Sequence, residues 1–441
     1  MGLFAARKVS GNATSGATRQ CQTPQEDAAL SLSFQTVAAI AIVVAASVSV
    51  AYAAAALAVV VARNRRPSAP RAAPIPRISI LKPLCGAEPG LEDNLRSFCR
   101  EAGPRDELLF GARDAHDPAL AIARQVMAEF PAVDARIVIG APMHGLNAKI
   151  NILVQLTAIA RYDVLVIADS DTRIRPGHLA DVVAPLRDAS VGIVSCLFRG
   201  RPTRTLWSQL GALGIDEMFI PSVLVSRALG SPAYCSGPMI AMRRAVLDAI
   251  GGIGTVAPYL ADDYELGVRV RRLGYRSAIA DREIIVTVNE PTWRDLFGHE
   301  LRWMRTVRTV TPLGYAFSVL TYAVPLTALA AVVAGGAPWS LALVAVALAL
   351  RAELHWSSRR SAAREAAGGG VDSGPDDARG VPLWLVPLRD FLSLGMWIAS
   401  YASRTVQWRG RTMWVTPDGL LHPHPAGSMR LGIGTPHGEE S

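Results

Sequence analysis

Residues 36–62 form an apolar run of 27 residues without a charge, longer than the roughly 20 that an α-helix needs to cross a hydrocarbon core. Whatever else the chain builds must be arranged around that segment. A cleaved signal peptide fits less well, because its apolar core would span about 7 to 15 residues and lie nearer the start. Arg63, Arg65 and Arg66 come at once after the run, then Arg71 and Arg77, whereas the leader holds Arg7, Lys8 and Arg19 against Glu26 and Asp27. The positive-inside rule therefore places the chain beyond the run on the cytoplasmic side. Residues 1–33, rich in Ser, Thr, Ala and Gln without a hydrophobic period, read as a disordered leader.

Composition agrees with a soluble domain carrying a few spans: half of the residues are hydrophobic, 19% are charged, and mean hydropathy is +0.25. The five cysteines, Cys21, Cys85, Cys99, Cys196 and Cys235, are odd in number and show no CxxC spacing. Neither a disulfide framework nor a zinc site is supported, and a reducing compartment fits best. A net charge of +8 raises the question of nucleic acid. The arginines, however, are spread along the chain and clustered beside apolar segments, with no helix-turn-helix or aromatic RNA-binding motif, so nucleic acid is excluded as a partner. The basicity is read as facing anionic lipid and a nucleotide diphosphate.

After a Pro/Ala linker at 67–76, residues 77–290 alternate short apolar runs with helical patterns, as an open α/β sheet does. Strands are expected at 78–81, 107–112, 135–139, 164–168, 192–196 and 284–288, with a helix over 91–100. Residues 291–312 carry apolar positions at helical spacing among Arg294, Arg302, Arg305 and Arg308. That pattern predicts an amphipathic helix, either lying in a membrane interface or packed on the domain with a basic outer face. Residues 316–350 read as a membrane hairpin with a short second arm, and 355–380 as a flexible loop. Residues 381–402 form a membrane or re-entrant helix interrupted by Arg389-Asp390, a pair that would neutralise itself, mark an interface or be functional. Residues 403–441 are expected to be a cytoplasmic tail.

The acids carry the chemistry. Val164 to Ala168 is an apolar strand that runs into Asp169-Ser170-Asp171, so two carboxylates reach the carboxyl edge of a sheet, where open α/β folds bind ligands. Oxygen ligands of this kind suit a hard cation, Mg²⁺ or Mn²⁺. A surface turn can carry the same triplet, so the triplet alone does not decide. Asp114, after the strand 107–112, can accept hydrogen bonds from a base or ribose, while Asp117 before Pro118 fits a helix cap. Lys149 in the polar loop with Gly145 and Asn147 reads equally as a phosphate ligand or a solvated lysine. Asp262, Asp263 and Glu265 precede a helical stretch, where the cluster either complements its dipole or the two adjacent acids, flanked by Leu260 and Tyr264, share a partly buried site in which desolvation and repulsion make one a base.

In this order the motifs resemble the ceramide glucosyltransferase family of glycosyltransferase 2/21 enzymes, and more closely its bacterial branch associated with hopanoid biosynthesis. The likeness covers roughly residues 77–315 and rests on Ile80-Leu-Lys-Pro-Leu-Cys-Gly-Ala-Glu-Pro-Gly90, Asp114, Ala168-Asp-Ser-Asp171, Ala261-Asp-Asp-Tyr264 and His299-Glu-Leu-Arg-Trp303. The resemblance implies a GT-A-like α/β fold: a mainly parallel mixed sheet flanked by helices, with an N-terminal transmembrane anchor and C-terminal membrane-embedded or interfacial helices. It further implies that Asp114 contacts the nucleotide, Asp169 and Asp171 hold nucleotide sugar and metal, and Asp263 is the general base. Arg302 and Trp303 match the family's pair that helps hold the diphosphate and close the site beside the membrane. The implied reaction is inverting transfer of N-acetylglucosamine from a UDP donor to a bacteriohopanepolyol at a bacterial inner membrane. Glucosylation of ceramide from UDP-glucose is the alternative; a processive polysaccharide synthase or a non-catalytic binding protein stands behind both. His299, where the family has Gln or Arg, separates this chain from the ceramide pattern.

Overall fold

The computed structural model describes residues 24–66, 76–140, 143–231, 235–368, 380–408 and 411–423. Ten strands precede the last membrane segments: β1 (Ile78–Pro83), β2 (Glu107–Ala112), β3 (Asp134–Ile139), β4 (Val164–Ala168), β5 (Thr172–Arg173), β6 (Val191–Ser195), β7 (Phe198–Pro202), β8 (Met239–Arg243), β9 (Arg276–Ile279) and β10 (Ile284–Val288). Three more lie near the end, β11 (Thr405–Trp408), β12 (Arg411–Val415) and β13 (Leu421–Pro423).

The main sheet has the order β3-β2-β1-β4-β8-β6-β9, and β8 alone runs against its neighbours. This is the mainly parallel, mixed α/β arrangement of GT-A type that the motifs imply. Strands β1, β2, β4 and β6 are buried at every position, which is why they read as unbroken apolar runs rather than alternating ones. Their successive side chains feed two separate cores. Ile80, Leu108 and Val166 pack on one face with Phe98 and Leu95, and Leu81, Leu109 and Leu165 pack on the other with Ile152 and Leu156.

Four elements of this domain bear on the sequence-based expectations. The expected strand 284–288 forms, but it joins a second small sheet of order β5-β10-β7. Strands β8 and β9 lie outside those expected, because Met239–Arg243 and Arg276–Ile279 are short, carry arginines and acquire their partners only across the sheet. The helix over 91–100 forms as Leu91–Glu101.

The membrane part differs more. The N-terminal helix starts at Pro24, so residues 24–33 continue it rather than belonging to a disordered leader; residues 1–23 lie outside the described residues. Gln35–Asn64 and Pro338–Arg364 are each long and apolar enough to cross a membrane, and Pro312–Thr321 with Ala323–Val333 forms a third candidate bent by 66°. The second arm of the expected hairpin is not short: its helix runs Pro338–Gly368, so the first part of the expected loop 355–380 is helical. Alanines line the contacts between these helices, Ala46 against Leu326 and Ala330, and Ala53 against Ala323 and Ala347. Small residues there let backbones approach closely, as helices in lipid require.

Within the helix Leu385–Ser400, Arg389 and Asp390 do not neutralise each other. Arg389 pairs with Glu300 at 3.0 Å, and Asp390 takes Arg351 in a bidentate pair at 2.9 and 3.0 Å. The expected tail is a sheet, β11-β12-β13, from 405 to 423; residues 424–441 lie outside the described residues.

The joint between span and domain is ionic. Glu283, whose side chain is fully buried, takes Arg63 from the end of the first span and Arg199 from β7. Arg63 also donates to the Asp281 carbonyl at 2.8 Å, and Asn64 to that of Ser357 at 3.1 Å. Removing one partner of a buried ion pair strands the others, at a cost of about 3–5 kcal/mol. Glu283→Gln is accordingly expected to lower the thermal midpoint of the detergent-solubilised protein by many degrees, whereas Glu353→Gln, on an exposed pair, leaves it unchanged; equal midpoints in a melting curve would remove Glu283 from this role.

Candidate active site

The site grows from the carboxyl edge of β1, β4 and the loop before β8. β4 ends at Ala168, and the chain turns through Asp169-Ser170-Asp171 into β5, held by the Asp169 N–H donating to the Pro238 carbonyl at 3.0 Å and the Thr287 N–H donating to that of Asp171 at 3.0 Å. Both aspartates are half-buried.

Lys149 is the centre of the arrangement. Asn147 caps the helix Ala148–Ile159, its side chain accepting the Ile150 N–H, which sets Lys149 on the first turn. The Lys149 ammonium lies 2.7 Å from Asp169 and 3.8 Å from Asp262. It is therefore not a solvated lysine: it ties the two acid segments together. Gly145 makes this possible, since a β-carbon there would sit 2.6 Å from the Ala257 carbonyl oxygen, and the Asn147 N–H donates to that same carbonyl at 3.1 Å.

Asp262 and Asp263 open the helix Asp262–Arg272. Asp262 accepts from the Asn147 amide at 3.3 Å. Asp263 faces Gly237, where a β-carbon would lie 3.1 Å from its carboxylate. Burial and the repulsion of Asp262 push the Asp263 carboxyl up to about 7, against the pull of Lys149. Burial, with repulsion from Asp169 and Glu88, likewise raises Asp171 to about 7. For Lys149, burial opposes the charge, but Asp169 and Asp262 together outweigh it and hold the ammonium above its ordinary value. Asp262 and Asp263 therefore share one partly buried site beside Lys149, while Glu265, also in the first turn of the helix, pairs with Arg269 at 3.0 Å.

A second lysine lies beneath. Lys82, at the carboxyl end of β1, is fully buried, donates to the Asp169 carbonyl at 2.7 Å and sits 3.8 Å over the Phe98 ring. Burial lowers it to about 7, opposed by Asp171 and Asp169. Sequence reasoning assigns Lys82 no role, although a signal is present: a lysine in an otherwise apolar strand is buried only when acids or carbonyls await it. Glu88, exposed in the loop after β1, accepts from the Ser170 hydroxyl at 3.1 Å; sequence reasoning assigns it no role either.

Other expected site residues lie apart. Asp114 is exposed after β2, at the same edge of the sheet, and accepts the His116 N–H at 2.9 Å. Asp117, one residue ahead of the Pro118 cap position, accepts from the Ala119 and Gly86 N–H groups, both at 2.9 Å, and so takes up the first N–H of the helix Ala119–Glu129 and pins the loop after β1. Arg302 and Trp303 are on the helix Trp293–Val310, which a Thr292–Asp295 capping box starts. Trp303 packs on the domain core and lies edge-on to His299, ring centres 4.3 Å apart, while His299 pairs with Glu290 at 2.6 Å. Two of its arginines turn inward, Arg305 donating to the Thr405 carbonyl and Arg308 to those of Ser400 and Ser403, while Arg294 stays exposed over the Trp293 ring.

Five carboxylates, Glu88, Asp169, Asp171, Asp262 and Asp263, thus gather around two lysines. That excess of negative oxygen fits a divalent cation. Among the described residues no three His, Cys, Asp or Glu side chains converge as a complete metal cage. A cation here would take one or two carboxylates, Asp171 and Asp169, and complete its shell with ligand oxygens and water, as Mg²⁺ commonly does.

A family model described as glycosyl transferase family 21 matches residues 41–421. Ceramide glucosyltransferase 3 of Caenorhabditis elegans is 25% identical over 237 residues, 52% of this chain and 50% of that one. Ceramide glucosyltransferase of Candida albicans is 33% identical over 153 residues, 32% and 28% of the two chains. The chain spans about half the length of the curated relatives it matches over the longest alignments. Among solved structures, mannosyltransferase PcManGT from Pyrobaculum calidifontis in complex with GDP-Man and Mn²⁺ aligns with 82% of this chain and 97% of its own at 19% identity, with a TM-score of 0.47.

An aspartate that ionises near 7 when folded and near 3.9 when unfolded destabilises the fold progressively as pH rises between those values. Asp263→Asn is therefore expected to raise the thermal midpoint of chelator-treated, ligand-free protein more at pH 8 than at pH 5; equal shifts at both would show that the carboxyl is not held protonated.

Proposed function

This chain belongs to glycosyl transferase family 21, and on that premise we propose that it transfers glucose from UDP-glucose to the hydroxyl of a ceramide-type lipid. It is a glycosyltransferase by family; donor, acceptor and residue roles are our reading. The curated relatives are named ceramide glucosyltransferases, which supports ceramide glucosylation over the transfer of N-acetylglucosamine to a bacteriohopanepolyol that His299 had favoured. The observation that carries the chemistry is the Lys149 bridge, because it sets the Asp169–Asp171 turn and the Asp262–Asp263 turn on either side of one cation at 2.7 and 3.8 Å.

In this reading the lipid hydroxyl attacks the anomeric carbon of the sugar while the bond from that carbon to the diphosphate oxygen breaks, giving inversion. Asp263 takes the hydroxyl proton, a role suited to a carboxylate raised to about 7, since a base works best with a pKa near the operating pH. Asp169 and Asp171 hold the diphosphate end of the donor and the cation, Mg²⁺ or Mn²⁺, which would supply neutralisation of the leaving charge. Asp114 receives the nucleoside, Lys149 keeps the two acid turns apart from collapse or repulsion, and Arg302 with Trp303 closes the site toward the lipid. In this reading the helices Gln35–Asn64 and Pro338–Arg364, each long and apolar enough to cross a membrane, hold the domain against the bilayer, and Arg63, Arg65 and Arg66 support a cytoplasmic side for it.

Membranes containing the protein, incubated with labelled UDP-glucose or UDP-N-acetylglucosamine and either ceramide or bacteriohopanetetrol, are expected to yield one hexose on ceramide by lipid mass spectrometry. N-acetylhexosamine on the hopanoid would overturn the substrate reading, and a polymer would overturn single transfer. Asp263→Asn is expected to lose transfer by a factor of about 10³ or more, within the roughly 10²–10⁴ that general acid–base help contributes, while UDP affinity stays within twofold. Asp171→Ala is expected to remove the metal dependence of UDP binding measured by calorimetry with and without chelator.

A further inference from the structure

The three strands that replace the expected tail touch the back of the acid turn. An isolated antiparallel bridge joins Tyr259 to Leu420. The Leu260 N–H donates to the Gly419 carbonyl at 3.2 Å, and the Leu421 N–H to that of Pro258 at 2.8 Å. The segment leading into Asp262 is thus hydrogen-bonded as an added strand to β13 and its turn. Leu260 enters a small core with Val406, Met413, Val415 and Leu421, and Leu146, from the loop before Lys149, packs against the same core.

Side-chain direction separates the two faces of the turn. Asp262 and Asp263 face Lys149 and Gly237. Tyr259, Ala261, Tyr264 and Glu265 instead line a cleft of about 220 Å³ whose other walls are Thr309, Val310 and the Pro417–Gly419 turn. The acids therefore look into the site while their backbone rests on the C-terminal sheet. At its other end the sheet is held by the helix that bears Arg302 and Trp303, through Arg305 to Thr405 and Arg308 to Ser403. One small sheet touches the Asp263 turn, the Lys149 loop and the Arg302 helix at once.

We propose that the sheet Thr405–Pro423 is a strap belonging to the catalytic unit, with Leu260, Val406, Val415 and Leu421 as positioning residues that hold the Asp262–Asp263 turn at its working distance. The proposal rests on the reading of Asp263 as the base. It does not depend on which sugar or lipid is used. A misplacement of about 1 Å in a reacting group costs on the order of 100-fold in rate, so a loosened strap acts on turnover before it acts on nucleotide binding.

The test uses the full chain in detergent with the donor and acceptor pair that the wild type turns over in the assay above. Val406→Ala and Leu421→Ala are expected to lower kcat at least tenfold, with donor KM and UDP affinity within twofold of wild type, and Leu421→Met is expected to restore kcat to within about threefold. Wild-type kcat in both alanine variants would overturn the strap, as would a matching loss of UDP affinity, which marks general unfolding, or a Leu421→Met variant as slow as Leu421→Ala. Asp263→Asn, run alongside, separates the two readings: turnover in that variant defeats the base assignment, whereas its loss together with normal kcat in the strap variants defeats the strap alone.

Discussion

A single ammonium between two carboxylates allows the acid-rich edge of this sheet to exist. Asp169 and Asp262 come from segments about ninety residues apart and would repel each other in a half-buried site. Lys149 reaches both. For it to do so, the helix Ala148–Ile159 must dock closely on the sheet, which it does through Gly111, where a β-carbon would lie 2.5 Å from Ile152. The loop ahead of the helix must also lie against Ala257, which Gly145 permits. Lys82 neutralises from below and Lys149 from the side, and neither fully balances five acids. The remaining negative potential is what a cation and a cationic clamp would meet.

The same economy of buried charge recurs where the domain meets the membrane helices. Glu283 takes an arginine from the first span and another from β7, Arg351 and Asp390 join two helices of the bundle, and Arg389 and Glu300 join the bundle to the helix of Arg302 and Trp303. Each pair connects elements far apart in the chain. Pairs of this kind add little net stability over a well-packed apolar contact, but they penalise wrong arrangements heavily because a lone buried charge is costly. Their service here is registration: they set how the catalytic domain sits on the helices, and through Glu300 how the Arg302 helix sits on both.

The helix Trp293–Val310 shows how local pattern misleads. Its arginines at helical spacing suggest a basic outer face, yet Arg305 and Arg308 donate inward to backbone carbonyls at Ser400 and Ser403, at and just past the end of the helix Leu385–Ser400, and at Thr405 in the C-terminal sheet. Arginine carries five donors and a long apolar stem, so it can serve as a buried brace as readily as a surface charge. Arg389-Asp390 makes the same point, since adjacency in sequence invites pairing and each side chain in fact turns to a different helix.

What the sequence by itself determined was everything carried by continuous apolar runs and by order along the chain. The first span, the strands β1, β2 and β4 and the sequence of acid motifs are legible because burial on both faces writes an unbroken hydrophobic signature, and because a strand running into aspartates marks the carboxyl edge. Tertiary structure alone decided the rest. Whether Lys149 was solvated or central, where β8 and β9 paired, and that residues 405–423 formed a sheet against the Asp263 turn all depend on partners distant in sequence. Short strands with polar residues have no signature of their own, and an ion pair exists only when both of its ends have been brought together.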